Sequence, residues 1–199
     1  MTKLSSFLLT VITAGILLGL SGCDSLSVKK SISDEEFSLL DHNNQEVVFP
    51  DDYLGKILLV GYVYTHCPDI CPAITYNMRD VQQLVDDSSN FMLISISFDP
   101  ERDSPSILND YAANYRLDTD SWSLLTGERS EVDNVLELLE ISTVKTPTRF
   151  LDDGKAIYFI DHTDRVTLID REGNIRKQYI GSEFKPEEVA EDIRKLIGK

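Results

Sequence analysis

Two apolar runs of strand length lie near the middle of the chain, at residues 57–63 and 91–98. Near-continuous apolar runs of this kind are typical of strands that are covered on both faces of a partly parallel sheet. Between the runs, apolar side chains recur at helical spacing over residues 72–86. These positions are Ile74, Met78, Val81 and Val85. The pattern predicts a strand–helix–strand unit with a right-handed crossover.

Other patterns place further elements on either side of this unit. They predict a hairpin over residues 37–49, helices over 105–115 and 128–141, a short strand from Trp122, a small hairpin around Gly154, a hairpin over 165–180 and a last helix from Pro186. His42 lies beside the turn of the first hairpin, and we expect it to be exposed to solvent. The order of elements indicates an α/β, thioredoxin-like fold of the glutaredoxin/peroxiredoxin type, with flanking helices and an added N-terminal hairpin.

The N-terminus carries a targeting signal. Lys3 precedes an apolar stretch over residues 7–20, and small residues follow just before Cys23. The segment resembles the bacterial lipoprotein box, and Asp24 resembles a signal that retains lipoproteins in the inner membrane. This resemblance implies a signal peptide over residues 1–22 and a lipidated Cys23, which anchors the chain facing the periplasm. An uncleaved single-pass anchor is the alternative. Residues 23–36 are then interpreted as a membrane tether and 37–199 as the folded domain.

The charge of the chain excludes one class of partner. It has 34 acidic and 19 basic residues, which give a net charge of −15 at pH 7. Such a surface repels nucleic acid, so no nucleic-acid partner is expected. With Cys23 lipidated, two cysteines remain in an oxidising compartment, where a structural disulfide is the ordinary expectation.

The two remaining cysteines, Cys67 and Cys71, form the candidate chemical site. Each precedes a proline, which disfavours helical backbone at the residue before it. We therefore expect Cys67 in the loop and Cys71 as the N-cap of a helix that starts at Pro72. Near a helix N-terminus a thiolate is favoured, so the pair suits a redox couple or a soft-metal site for Cu(I) or Zn(II).

A soft-metal site usually needs a third donor, and two histidines are candidates. His66 is adjacent to Cys67, so in an extended segment its side chain points away from that of its neighbour. His162 lies just before the predicted Arg165 strand, and in a thioredoxin-like fold the loop entering that strand faces the redox helix. Spacing alone leaves open whether His162 is a ligand or a solvated loop residue.

Four segments together resemble one protein family. They are Tyr64-Thr-His-Cys-Pro-Asp-Ile-Cys-Pro, Ser97-Phe-Asp-Pro-Glu-Arg-Asp-Ser-Pro, Leu125-Thr-Gly, and Asp161-His-Thr followed by Leu168-Ile-Asp-Arg-Glu-Gly. Their order and spacing are similar to those of the SCO/SenC copper proteins of bacteria and mitochondria.

The resemblance implies a single copper ion, as Cu(I) or Cu(II), bound by Cys67, Cys71 and His162. It implies a role in assembling the binuclear copper A centre of cytochrome c oxidase, with the copper-centre subunit as client and a periplasmic copper donor or thiol reductant as a further partner. Asp69 could supply an outer charge, and Asp99 is expected to form a turn. Residues 142–158 follow the family pattern poorly, which leaves room for a different partner near the histidine.

Other functions remain open on the sequence. A thiol–disulfide reductase could use Cys67 and Cys71 as its redox couple and keep target cysteines reduced for metallation. A spacing of three residues between the cysteines, where typical thioredoxin-like reductases have two, counts against general redox work. A peroxidase and a purely structural disulfide are weaker alternatives.

Overall fold

A computed structural model describes residues 26–85, 89–152 and 156–198. In this part of the chain there are twelve strands, of which eight form one sheet. They are β1 (Lys30–Ser31), β2 (Phe37–Asp41), β3 (Glu46–Phe49), β4 (Ile57–Val63), β5 (Phe91–Ser97), β6 (Trp122–Thr126), β7 (Thr143–Lys145), β8 (Arg149–Phe150), β9 (Ala156–Ile157), β10 (Ile160–His162), β11 (Val166–Ile169) and β12 (Asn174–Tyr179). The four α-helices among these residues are α1 (Ile70–Leu84), α2 (Pro105–Tyr115), α3 (Arg129–Leu138) and α4 (Pro186–Ile197).

The large sheet has the strand order β1-β12-β11-β4-β5-β6-β2-β3. Its centre is parallel, because β4 pairs with β5 and β5 with β6 in the same direction. The two predicted central strands are confirmed, and every residue of β4 is buried as a two-sided strand requires. The predicted hairpins of β2 with β3 and of β11 with β12 are confirmed as well. Trp122, predicted as a core residue, is fully buried at the start of β6.

The helices cover this sheet. The α1 helix follows β4 and contacts both β4 and α4, and its Thr75 hydroxyl lies 2.7 Å from the Tyr111 hydroxyl of α2. The α3 helix packs against β2. No helix among the described residues is long and apolar enough to cross a bilayer.

A two-stranded arm stands outside the large sheet. It comprises residues 142–152 and 156–163, in which β7 pairs with β10 and β8 pairs with β9. Gly154, around which the small hairpin was predicted, lies outside the described residues, but the strands on either side of it pair as predicted. The chain leaves the arm at His162 and enters β11 directly, so the arm is anchored next to the centre of the large sheet.

The folded unit begins earlier than the predicted boundary at residue 37. Leu26 and Ile32, both in the predicted tether, are buried, and β1 extends the sheet by pairing with β12. Isolated apolar residues in a polar segment gave no periodic signal, so their burial depended on a partner strand that is distant in sequence.

The prediction that His42 is exposed is wrong, because its side chain is buried. The hairpin joins the large sheet through β2 and β6, which brings the turn after Asp41 against the neighbouring strand. The Leu124 N–H donates to Nδ1 of His42 at 3.4 Å. Burial lowers the pKa of His42, so the ring is held neutral as a structural acceptor.

Gly61 in β4 marks a close approach between the sheet and α1. A Cβ atom at this position would clash with Sδ of Met78, whose side chain is fully buried. We expect Gly61→Ala to lower the free energy of unfolding by roughly 1–3 kcal/mol, as overpacking of a dense core does. Urea denaturation of a form without the N-terminal segment, residues 24–199, measures this change in the free energy of unfolding. In a Met78→Ala background the same substitution should be much less harmful. An equal loss in both backgrounds would contradict the clash with Met78.

Candidate metal centre

The loop between β4 and α1 holds Cys67 in place. The Cys67 N–H donates to the carbonyl of Tyr64 at 3.2 Å, which closes a tight turn. Thr65 is bound to the buried Asp103, since its N–H donates to Oδ2 at 3.0 Å and its hydroxyl to Oδ1 at 2.5 Å. Ser97, at the end of β5, also donates to Asp103 at 2.6 Å. The Asp103 carboxyl therefore links the cysteine loop to β5, the adjacent parallel strand. Burial raises the pKa of this carboxyl.

Cys71 lies within α1, so the prediction that it caps the helix is wrong. The N-cap residue is Asp69, and the helix begins at Ile70, one residue before Cys71. Pro72 is tolerated there because the first N–H groups of a helix have no partner within the helix. Cys71 is fully buried, whereas Cys67 remains outside the helix, as predicted, and is partly exposed.

His162 reaches the cysteines from the last position of β10. Side chains alternate along a strand, so Ile160 and His162 share one face of β10, and Ile160 is buried against the domain. The imidazole rests on Phe98, with ring centroids 4.6 Å apart. Its Nε2 lies 3.7 Å from Sγ of Cys71.

One contact fixes which nitrogen of His162 is free. Nδ1 lies 2.9 Å from the carbonyl oxygen of Thr163. A carbonyl can only accept, so Nδ1 carries the proton and the lone pair of Nε2 is directed at the cysteines. Metal-bound histidines use this arrangement, in which the second nitrogen donates to an outer partner.

The three side chains form a site of the size that a metal ion needs. The candidate ligand atoms of Cys67, Cys71 and His162 all lie within 4.8 Å of one another. Metal bonds of about 2.0–2.3 Å to nitrogen and sulfur place such atoms roughly 3–4 Å apart, so only a small contraction is required. Two thiolates with one imidazole form a soft donor set, which suits Cu(I) or Zn(II) better than a hard cation.

The two thiols are chemically unequal. The Cys71 thiol donates to Cys67, and the N–H groups of Cys71 and Asp69 donate to it as well. These hydrogen bonds outweigh the partial burial of Cys67 and lower its pKa to about 3. The pKa of Cys71 is raised, because its thiol donates a hydrogen bond to Cys67 and its sulfur is buried. Apo protein therefore carries one thiolate, at Cys67. A bound cation would favour loss of the second proton, which couples metal binding to proton release.

The structure separates the remaining predicted residues from these donors. His66 is exposed, and its Nδ1 lies 3.1 Å from the Thr65 hydroxyl. Asp69 is also exposed and makes no side-chain capping hydrogen bond. Neither belongs to the group of possible ligands, although Asp69 lines the same pocket as Cys67 and His162.

Asp99 forms the expected turn, and its carboxylate also contacts two other side chains. Its carbonyl accepts the N–H groups of Arg102 and Asp103, which closes the turn before α2. Its buried carboxylate also pairs with Arg102 and accepts the Tyr158 hydroxyl at 2.8 Å. The Arg102 guanidinium lies 3.6 Å from the centre of the Tyr158 ring. These contacts attach the segment that leads into β10, the strand of His162, to the body of the domain. Sequence reasoning missed Tyr158 and Arg102, although Arg102 lies inside one of the four recognised segments.

The fold and the site define the class of protein: a thioredoxin-like α/β domain with a Cys-Cys-His group suited to a soft metal. A model of the SCO1/SenC family matches residues 27–198. The chain belongs to this family, and the expected fold is confirmed.

Individual relatives agree with the family match. The chain is 30% identical over 189 residues to a SCO1 protein homolog of Bacillus subtilis, covering 92% of this chain and 94% of that protein. The structure is similar to that of Bradyrhizobium japonicum ScoI with copper bound, with a TM-score of 0.70, 30% identity and coverage of 81% of this chain and 97% of the other. A structure of BsSco, described as a member of the Sco family of cytochrome c oxidase assembly proteins and as having a disulfide switch, gives a TM-score of 0.67 at 27% identity and covers 85% of this chain and 97% of the other.

Proposed function

We propose that this protein is a copper metallochaperone, which binds one copper ion as cargo through Cys67, Cys71 and His162. The convergence of these three donor atoms, with Nδ1 of His162 held by the Thr163 carbonyl, is the observation that carries the proposal. Copper bound to ScoI of B. japonicum, which shares the fold and 30% of aligned residues, supports the choice of metal.

The client that we propose is the copper-centre subunit of cytochrome c oxidase, whose binuclear copper A centre the protein helps to assemble. The description of BsSco as belonging to a family of oxidase assembly proteins supports this client. In turn, a periplasmic copper donor supplies copper to the protein, or a thiol reductant reduces its cysteines. We further propose that lipid on Cys23 anchors the protein to the inner membrane with the domain in the periplasm. Cys23 lies outside the described residues.

A thiol–disulfide reductase is the second candidate function. The cysteine pair supports it, because Cys67 is a thiolate at neutral pH and a thiolate is the attacking species in thiol–disulfide exchange. The same low pKa stabilises the reduced pair, which lowers its reducing power. Copper delivery and reduction of the client's cysteines use the same two sulfur atoms. The two functions therefore exclude each other at any one moment but not within one protein.

Copper loading and transfer test the proposed function. The soluble form should span residues 24–199, because removing Leu26, Ile32 and β1 would strip buried side chains and a strand. With its cysteines reduced, it is expected to bind one copper ion per chain and to load a reduced copper A domain, followed by the absorption of that centre. Reduction of an oxidised copper A domain by the metal-free protein, without any copper transfer from the loaded protein, would instead establish the reductase.

A further inference from the structure

The arm carries an unusual share of the exposed apolar surface. Ten large apolar side chains are exposed among the described residues, and four of them lie on the arm. They are Val144, Phe150, Leu151 and Phe159, with exposed fractions of 64%, 73%, 46% and 47%. Most surfaces of a soluble protein carry such residues singly, so four of them on one short arm indicate a contact surface.

Two neighbouring pockets lie between the metal centre and part of this surface, and together they are called the groove. A pocket beside Cys67 and His162 is also lined by Pro68, Ile70 and Phe159. A second pocket shares Thr146 and Phe159 with the first and continues along the arm to Arg149 and Leu151. Cys71 is fully buried, so a bound ion can leave only on the side of Cys67 and His162, where this groove opens. An acceptor that reaches the ion through this pocket contacts Thr146 and Phe159 of the arm.

The chain enters the domain at the opposite end of the sheet. The carbonyl of Leu26 accepts from Nε of Arg176, whose guanidinium also binds Asp170 in the turn between β11 and β12. This turn contacts Gly55, immediately before β4 begins, whereas Cys67 follows the far end of β4. Seven strand residues separate the two ends, and seven residues span roughly 20 Å. A bilayer that holds the N-terminus is therefore remote from the arm.

We propose that the exposed apolar surface of the arm, centred on Phe150, Leu151 and Phe159, is the docking surface for the client protein. The proposal rests on the proposed function, because it concerns the acceptor of the cargo. The client's contact is apolar at its centre, where it covers these side chains. Exposed Asp69 and Asp161 flank the groove beside the metal centre, whereas exposed Arg149 lines its other part beside Leu151. Cationic side chains near the metal centre and an acidic side chain near Arg149 are therefore complementary on the client.

The test compares copper transfer by arm variants and by matched control variants. The arm variants are Phe150→Ser and Leu151→Ser, singly and together, because neither residue contacts the metal ligands. Val28→Ser and Ile107→Ser remove exposed apolar side chains from other surfaces and serve as controls. The full-length chain, loaded with copper in detergent micelles and in lipid vesicles, is mixed with the soluble reduced copper A domain of the oxidase. Both the transfer rate constant and copper affinity are measured.

We expect the double arm variant to lower the second-order rate constant of transfer at least about tenfold, as loss of a central contact does. Its copper stoichiometry and affinity should stay within about twofold of wild type, and both controls should transfer at the wild-type rate. Transfer at the wild-type rate by the double variant would overturn the docking surface while leaving the proposed function intact. If wild type binds copper but transfers none to this domain, the proposed client is wrong and the docking proposal falls with it.

Two further outcomes would assign the arm to another occupant and overturn the proposal. A defect seen in vesicles but absent in micelles would assign the arm to the membrane. A wild-type dimer in sedimentation experiments that the double variant dissociates would assign it to a second copy of this chain.

Discussion

Replacing His162 with alanine is expected to weaken copper binding at least about 100-fold. Changing an outer partner of a ligand already costs roughly 10–100-fold in metal affinity, and this substitution removes one of three donors. The two cysteines would remain, so weak binding of copper should persist. Competition with a chelator of known copper affinity, applied to the soluble form, measures the change.

His66→Ala is the matched control for this prediction. His66 is adjacent to Cys67, yet it is exposed and outside the donor group. Its replacement should leave the affinity within about twofold of wild type. Tight, stoichiometric copper binding by the His162→Ala protein would remove His162 from the site, and an equal loss in both variants would show that the effect is not specific to His162.

The alkylation rate of Cys67 in reduced, metal-free protein is expected to be almost independent of pH between 8 and 5. Its pKa of about 3 means that the sulfur stays ionised as the pH falls through this range. An ordinary cysteine, with a pKa of about 8.5, loses reactivity roughly tenfold per unit below that value. Its rate would therefore fall several-hundredfold or more over the same range. Iodoacetamide labelling, with the modified residue identified by mass spectrometry, provides the rates.

Cys71→Ala provides the control for the origin of this effect. The thiol of Cys71 is the largest cause of the low pKa of Cys67, and alanine cannot donate to it. We expect the labelling rate of Cys67 in this variant to fall visibly as the pH is lowered, starting at a higher pH than in wild type. A wild-type rate that declines tenfold per unit from pH 8 downward would contradict the assignment of a stable thiolate to Cys67.

The elements that the sequence predicted well are those whose burial is a local property. The run from Ile57 to Val63 is apolar at every position, and β4 occupies those residues. Ser104 and Pro105 mark a helix start by their own backbone preferences, and α2 begins at Pro105. Both signals are complete within a few residues of the chain.

The predictions that failed depend on partners far away in sequence. His42 is buried because β2 pairs with β6, more than 80 residues later. Leu26 and Ile32 are buried through β12, about 150 residues later. No local pattern around these residues indicates which strand they will meet. The position of Cys71 inside α1 is a different case, since a general preference of residues before proline was outweighed by the tolerance of a first helical turn.

The candidate site likewise combines residues that a local sequence pattern indicates with residues that it does not. Cys67 and Cys71 lie four residues apart in sequence, and their motif marks them as reactive. The predicted thioredoxin-like order of elements placed the loop of His162 near the redox helix, but only the resemblance to the family identified His162 as a ligand, because strand alternation does not show which side chain of a loop enters a site. The Thr163 contact that orients it is made by a backbone carbonyl, which carries no sequence signal at all.

If the protein is anchored through Cys23 as proposed, the early start of the folded unit affects how it meets the proposed client. If Cys23 carries the lipid, only Asp24 and Ser25 lie between it and Leu26, and the three steps from Cys23 to Leu26 span about 10 Å at full extension. The domain is then held close to the membrane and has little freedom to move relative to it. Its metal centre is held at a nearly fixed height, and encounters with an anchored client become lateral diffusion in two dimensions. Lengthening the connection by a flexible linker would give the domain more reach and less precise alignment.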